Sequence, residues 1–381
     1  MSRPGDHSPG LSSPVLIVAG GAASLRPEET DRVRPLLAAA FRDFSGTIIS
    51  GGTTSGVPGC VGEVGKMCRD GTGAFRVVGY LPRLRPADAT ADDRYDELIP
   101  CGEKGFSAEQ IIKTWQDILG AGISLDSVRL LGFAGGRISA IEYRVALALG
   151  AVVGVVEGFG GAAAEVLQDE LWQAAPNLLQ LPADNASIRA FAQPPHVLHP
   201  DKEKTKDSAI EAMAIKLHEN YVQNRKLQLP ENMRTWDELD DTYRTASREQ
   251  ARYAIQLLEQ NGFTVHLMSA SDTIRPFDGF TDAEFEQMAE MEHGRWNVER
   301  LLDGWQWGPV RDDEQKRHPC IVPWYRLSGD LEPMKEYDRE AIRAFADLLE
   351  QAGYVIARKT KTARRKSAKR KKGAVCRRKE A

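Results

Sequence analysis

The sequence predicts an open α/β domain built on a doubly wound parallel sheet, followed by a second, mostly α domain. Three observations predict it. Over residues 12–192, short runs of continuous Val, Ile and Leu alternate with helical patterns. Four of those runs end in glycine pairs or clusters. Beyond residues 194–200, a Pro- and His-rich linker, the composition shifts to Glu, Gln, Arg, Trp and Tyr with helical periodicity. Strands buried on both faces read as unbroken apolar runs, and strands alternating with helices give a parallel sheet, so the first domain is Rossmann-like. A chain of 381 residues is long enough for two domains.

The elements follow in order. Residues 14–19 are a buried strand ending in Gly20-Gly21, and Ser24 and Pro27 open a helix to about residue 43. Residues 46–50 form a second strand ending in Gly51-Gly52, followed by a helix over 60–70 and a strand over 75–81. Residues 82–106 are polar and irregular, the pattern of a flap. Ser107 caps a helix to residue 119, and strand 127–133 ends in Gly135-Gly136 before a helix over 137–149. Strand 151–156, a glycine turn at 158–161, a helix and strand 178–181 complete the pattern.

The second domain, residues 200–357, reads as an internal duplication, with one copy over about 207–265 and a fuller one over about 284–357. His218, Trp236, Arg248 and Gly262 recur in order as His293, Trp324, Arg339 and Gly353. Duplicated helix pairs pack about a pseudo-twofold.

Charge is distributed unevenly. Between Arg358 and Lys379 there are thirteen Lys or Arg and no acid, so the rest of the chain is strongly acidic although the net charge is only −4. An acidic body repels backbone phosphates and argues against nucleic acid as the main partner. The basic tail, residues 358–381, is low-complexity and reads as disordered; nucleic acid or an anionic surface are its candidate partners. Five scattered cysteines without a CxxC suit reduced thiols and a cytoplasmic protein. No apolar run is long enough to span a bilayer, and no metal site is expected.

Two strand-to-helix loops carry the chemistry. In Gly51-Gly52-Thr53-Thr54-Ser55-Gly56, glycine lets backbone N–H groups approach a phosphate and the hydroxyls add donors. In Gly135-Gly136-Arg137-Ile138-Ser139, a serine sits at a helix start, with Glu142 one turn further in to reach a ribose hydroxyl or act as acid/base. The other reading of Glu142 is an ordinary first-turn acid favoured by the helix dipole. In an open α/β sheet both loops meet at the carboxyl ends of the strands, where Gly20, Gly21 and Ala22 close one wall.

Together the loops resemble the SLOG superfamily, which includes LOG-type phosphoribohydrolases, DprA-type proteins and the ligand-sensing region of TRPM channels. Gly51, Gly52, Gly56 and Gly59 match the LOG pattern GGGxxGLMG, with Thr53 in place of the third glycine. Gly135, Gly136, Ser139 and Glu142 match PGGxGTxxE, with Ala134 for its proline and Ile138 for its middle glycine. LOG enzymes pair that glutamate with an arginine on the preceding helix. Residues 111–115 offer only Lys113, a poor substitute for a bidentate arginine.

The second copy, with Glu292-His293-Gly294-Arg295-Trp296, Gly304-Trp305-Gln306-Trp307-Gly308, His318-Pro319-Cys320-Ile321-Val322-Pro323-Trp324 and Lys335-Glu336-Tyr337-Asp338-Arg339, resembles the ryanodine receptor repeat (RyR) domain. Arg295, Trp296, Trp305, Trp307, Lys316, His318 and Trp324 form a second candidate ligand surface, suited to stacking on a base and holding its phosphates. Each alone also suits a packed core.

The combined resemblance implies a sensor of a nucleotide-derived small molecule (ADP-ribose-, NAD- or cyclic-nucleotide-like) in prokaryotic signalling or antiviral defence. It implies no required cofactor, a homo-oligomer and an effector partner. The alternative is a nucleotide N-glycosidase using Glu142, and the third reading a nucleic-acid-binding adaptor working through the tail.

Overall fold

The computed structural model describes residues 9–21, 26–71, 74–193, 207–225, 234–268 and 277–359. The basic tail beyond residue 359, and Ala22, lie outside the described residues. The chain divides into two compact units, each assembled from two stretches: Met1–Pro194 with His293–Leu331, and Pro195–Glu292 with Glu332–Ala381. The stretch His293–Leu331, grouped with the second domain in the sequence reading, thus packs into the first unit.

The first unit is built on a seven-stranded, wholly parallel sheet. In chain order its elements are β1 (Val15–Gly20), α1 (Pro27–Phe41), β2 (Thr47–Ser50), α2 (Gly56–Gly71), β3 (Arg76–Leu81), β4 (Glu97–Pro100), α3 (Ala108–Gly120), β5 (Val128–Phe133), α4 (Arg137–Leu149), β6 (Val152–Val156), α5 (Gly161–Gln168), β7 (Leu178–Leu181) and α6 (Asn185–Ala192). The strand order is β4-β3-β2-β1-β5-β6-β7. Successive strands therefore step outward from β1 on one side, and the chain then crosses to β5 on the other, which creates a topological switch between β1 and β5.

The apolar strand runs are buried because helices cover both faces. Leu16, Val18, Leu131 and Phe133 point into one core with α1, α2 and α6; Ile17, Ala19 and Leu130 point into the other with α3, α4 and α5. Burial at this level stabilises by about 25 cal/mol per Å² of apolar surface removed from water. Ser107 caps α3 by accepting from the Glu109 amide at 3.2 Å, while Gln110 accepts from the Ser107 amide at 2.7 Å. Asp184 caps α6 at the Ser187 amide (2.8 Å).

Two local expectations are corrected. The helix expected to begin at Cys60 begins at Gly56, since the glycine loop itself supplies the first turn. The flap over 82–106 contains a strand, β4, at the edge of the sheet. Its polar flanks and Pro100 hid it; an edge strand tolerates a proline that a central one does not.

The duplication is explicit, with the first copy wholly in the second unit and the middle of the second copy, from His293 to Leu331, in the first. Helices α7 (Asp207–Arg225) and α8 (Asp241–Gln260) lead to β8 (Phe263–Leu267). Helices α9 (Asp282–Leu302) and α10 (Lys335–Gln351) lead to β11 (Tyr354–Arg358), with the short strands β9 (Gln306–Trp307) and β10 (Arg317–His318) between them. Arg248 forks onto Glu211 at 2.5 and 3.1 Å, and Arg339 forks onto Glu286 at 2.7 and 3.1 Å. β8 and β11 pair antiparallel with Val265 opposite Ile356, each three residues after its glycine, Gly262 or Gly353. Equivalent positions facing each other are what a local twofold axis requires. The ring pairs repeat as well: His218 lies 6.0 Å from Trp236 at 56°, and in the first unit His293 lies 5.6 Å from Trp324 at 55°.

Candidate functional site

The crevice at the carboxyl ends of β1 and β5 is where an open α/β sheet binds its ligand. Three of the predicted loops meet there. A Cβ on Gly20 would lie 2.6 Å from the Phe133 carbonyl oxygen and 2.5 Å from Val57 Cγ2. The Val57 amide donates to the Gly21 carbonyl at 3.4 Å. Only glycine permits this approach, which brings the end of β1 against both the start of α2 and the end of β5.

The loop after β2 is splinted by the flap. Thr53 bridges antiparallel to Ala91, the Thr54 amide donates to the Thr90 carbonyl (3.1 Å), and the Asp92 amide donates to the Gly52 carbonyl (2.9 Å). Asp92 is wholly buried, and its carboxylate receives Arg94 Nε and Nη2, each at 2.7 Å, on separate oxygens. Arg94 Nη2 also donates to the Gly59 carbonyl (3.2 Å), and Tyr95 donates to the Pro58 carbonyl (2.8 Å). The loop is therefore held from outside, and its hydroxyls are left over. Thr53 is 3% exposed, and its Oγ1 is buried with no hydrogen-bond partner among the described residues. Thr54 and Ser55 are exposed, and Gly51 and Gly56 are partly so. Asp92, Arg94 and Tyr95 were missed by sequence reasoning; the one available signal was an acid-acid-Arg-Tyr cluster inside an otherwise irregular stretch.

The loop after β5 is strained. Ala134, a non-glycine, has φ +45°, and Gly135 has φ +91°. For the non-glycine Ala134 such backbone costs about 1–3 kcal/mol and is held only by its surroundings, whereas Gly135 adopts it without penalty. The holding groups are visible: Tyr143 Oη donates to the Ala134 carbonyl (3.2 Å), and the Ala163 and Ala162 amides donate to the Ala134 and Gly135 carbonyls at 2.9 and 3.0 Å. These bonds employ the first amides of α5. The start of α4 differs: Gly136 is its N-cap and no side chain caps it. Ser139 is buried beneath Gly135, while Gly136 and Arg137 are exposed, and Arg137 forms no ion pair among the described residues.

Glu142 lies in the second turn of α4, half-buried, and has neither a hydrogen bond nor an ion pair among the described residues. Burial pushes its carboxyl up to about 7. A carboxyl that is partly protonated near neutral pH can donate to a phosphate or ribose oxygen, or transfer a proton. Lys113, at the position where LOG enzymes would carry an arginine, is tied to Asp117 at 2.6 Å.

The second candidate surface is only partly assembled. Trp296 stacks on His293 (5.8 Å, 22°) and meets His318 edge-on (5.0 Å), which in turn lies 6.1 Å from Trp305. The Arg300 guanidinium stands 6.0 and 5.9 Å from the Trp296 and Trp305 rings. Trp296 and Trp305 pack half-buried on the core that Val298, Leu301 and Ile321 share with α1 and α6. Burial, followed by the nearby Arg311 and Arg300, holds His318 below the usual histidine range. Its Nδ1 accepts from the Cys320 amide at 3.1 Å. Trp324 joins through His293, but Trp307 is 55% exposed. Arg295 is paired with Glu299, and Lys316 donates to the Asp303 carbonyl at 2.6 Å. No group of three or more His, Cys, Asp or Glu among the described residues could hold a metal ion, and no helix there is long and apolar enough to cross a membrane.

Residues 13–190 match the family model described as SLOG in TRPM, prokaryote, and residues 280–358 match the RyR domain model. Among solved structures, the molybdenum cofactor carrier protein MCP from Chlamydomonas reinhardtii is 20% identical, with a TM-score of 0.34 over 46% of this chain and 92% of that one. The molybdenum cofactor binding protein from the phototrophic bacterium Rippkaea orientalis is 15% identical, with a TM-score of 0.33 over 45% and 91%.

Proposed function

We propose that this chain, which joins a prokaryotic SLOG domain of the TRPM type to an RyR domain, is a sensor of a nucleotide-derived small molecule. The ligand class is ADP-ribose-, NAD- or cyclic-nucleotide-like, and the setting is prokaryotic signalling or antiviral defence in the cytoplasm. The observation that carries the reading is the Thr53 hydroxyl, buried and unpartnered in a loop at the switch crevice. A buried hydroxyl without a partner costs about 1–3 kcal/mol, which a ligand oxygen relieves.

In this reading Thr53, Thr54, Gly56, Gly135, Gly136 and Ser139 hold phosphates, Glu142 a ribose hydroxyl, and the exposed Arg137 balances charge. Binding without turnover is favoured because Lys113 is occupied by Asp117, leaving Glu142 without the cation that stabilises a developing oxocarbenium ion in LOG chemistry. Apolar side chains left at the surface of α3 and α4 (Ile112, Leu119, Ile138 and Ile141) support a homo-oligomer or an effector partner as part of the same reading. One observation favours a second reading, an N-glycosidase: a carboxyl poised at about 7 is suited to general acid/base work.

The test is a panel of AMP, ADP-ribose, NAD and cyclic nucleotides, with melting temperature and product chromatography read from the same samples. A ligand at 100 times its Kd adds about 2.7 kcal/mol to stability. A melting shift with the ligand unchanged supports the sensor. Release of free base that Glu142→Gln abolishes makes the protein an enzyme. No shift with any nucleotide sinks both readings.

A further inference from the structure

The turn between β6 and α5, residues 157–161, leads from the switch crevice to the stretch His293–Leu331 of the same unit. At its inner end Gly161 abuts the strained loop: a Cβ there would lie 2.6 Å from the Gly135 carbonyl oxygen. At its outer end Glu157 Oε1 lies 3.3 Å from Arg326 Nη1. Between them, Arg32 of α1 donates to the Gly158 carbonyl at 3.3 Å, and its guanidinium lies 4.6 Å from the Phe159 ring centroid. The N-terminus of α5 is not itself the feature, since the Ala162 and Ala163 amides are already bonded.

Neither guanidinium is fully used. Arg32 is exposed and, although its charge is felt by Glu29 on the same helix, it makes no salt bridge among the described residues. Arg326 is 54% exposed on its side chain, and its contact with Glu157 is an ion pair without a hydrogen bond: Glu157 Oε1 is buried and accepts none among the described residues. The pair is exposed on the arginine side and buried at the carboxylate oxygen, and it lacks the hydrogen bond that would make it strong. A phosphate offers arginine a bidentate, charge-assisted partner and displaces such a contact. The four peptide steps from Gly161 to Glu157 span at most about 14 Å, within reach of a ligand longer than a mononucleotide.

We infer that Arg326, supplied by the RyR stretch, and Arg32 of α1 receive a second anionic group of the ligand held at the switch crevice, which makes that ligand a diphosphate-linked nucleotide or dinucleotide. This rests on the nucleotide reading above. Glu157 is then the placeholder that Arg326 leaves when the ligand arrives, and the RyR stretch senses occupancy directly.

Calorimetric titration of the full chain with AMP and with ADP-ribose tests it, using wild type, Arg326→Gln and Glu157→Gln. Arg326→Gln weakens ADP-ribose about tenfold, 1.4 kcal/mol, and leaves AMP within about twofold. Glu157→Gln, by freeing Arg326, tightens ADP-ribose severalfold and leaves AMP unchanged. A merely structural Arg326 weakens both ligands equally, and that result overturns the inference, as does an ADP-ribose affinity unmoved by either substitution. If wild type binds neither probe, this inference falls, and the nucleotide reading falls with it only if NAD and the cyclic nucleotides also fail to shift the melting temperature.

Discussion

Arg94 closes a two-pronged fork on Asp92, with Nε and Nη2 each 2.7 Å from a different oxygen of a carboxylate that has no solvent exposure. The fork fixes the flap against α2, and the flap in turn pairs with the loop holding Thr53. Truncating one partner strands a buried charge. Arg94→Ala is expected to cost about 3 kcal/mol, and the double variant with Asp92→Ala clearly less than the sum of the single changes. Urea unfolding of the four proteins measures the coupling, and additive losses would show that the fork is not a unit.

Glu142 ties stability to pH with a definite sign. Its folded-state carboxyl is raised to about 7, whereas an unfolded glutamate titrates near 4.3. Below that lower value both states are protonated and nothing is lost. As pH rises toward 7 the unfolded chain releases a proton that the folded chain keeps, so stability falls and then levels off above 7. The loss is roughly 1 kcal/mol after allowance for the group's partial exposure. Glu142→Gln should flatten this slope and melt higher than wild type at pH 8, with no gain at pH 4. Equal gains at both pH values would mean the substitution acts through packing.

Neighbouring glycines should respond oppositely. Gly135 has φ +91°, and a Cβ there meets Ser139 Oγ at 2.6 Å. Gly135→Ala is expected to cost about 2 kcal/mol and to abolish ligand binding by displacing the start of α4. Gly136 has ordinary backbone, and a Cβ there meets nothing within 4 Å. Gly136→Ala should stay within about 0.5 kcal/mol of wild type. Thermal melts of both variants decide it.

Trp305 and Trp307 are two residues apart and do different work. Trp305 packs on the shared core beside His318 and Arg300, whereas Trp307 is 55% exposed. Trp305→Ala should lose about 2–3 kcal/mol, somewhat below the full cost of emptying a buried site. Trp307→Ala should lose under about 0.5 kcal/mol. Denaturation midpoints separate the two, and similar losses would contradict the packing described.

The sheet could be read from the sequence because its strands are short apolar runs ending in glycine, a pattern set by burial on both faces. The duplication was readable for the same reason: Arg248 and Arg339, or Gly262 and Gly353, keep their spacing because each copy makes the same fork and the same turn. Strand β4 escaped because edge strands need not be apolar. The Asp92–Arg94 fork escaped because a buried ion pair looks in sequence like any two charges in a loop. Arg326 and Glu157 lie far apart along the chain, and neither position carries a pattern that announces the other. Within the loops the sequence pointed to hydroxyls and glycines, but which amides are spent, such as Thr54 on Thr90 or Ala162 on Gly135, depends on partners that only the folded chain supplies.

The core that Ile188 and Phe191 share with Val298, Leu301 and Ile321 has a consequence for biosynthesis. The residues Pro195–Glu292 intervene between the two contributors. A ribosome adding about 5–20 residues per second delivers Ile321 on the order of 10 s after the last helix of the sheet has emerged. During that wait the nascent sheet carries an uncovered apolar flank, a natural client for a holding chaperone. A gene shortened to end after residue 193 would make the wait permanent, and its product should aggregate rather than behave as a free-standing ligand-binding domain.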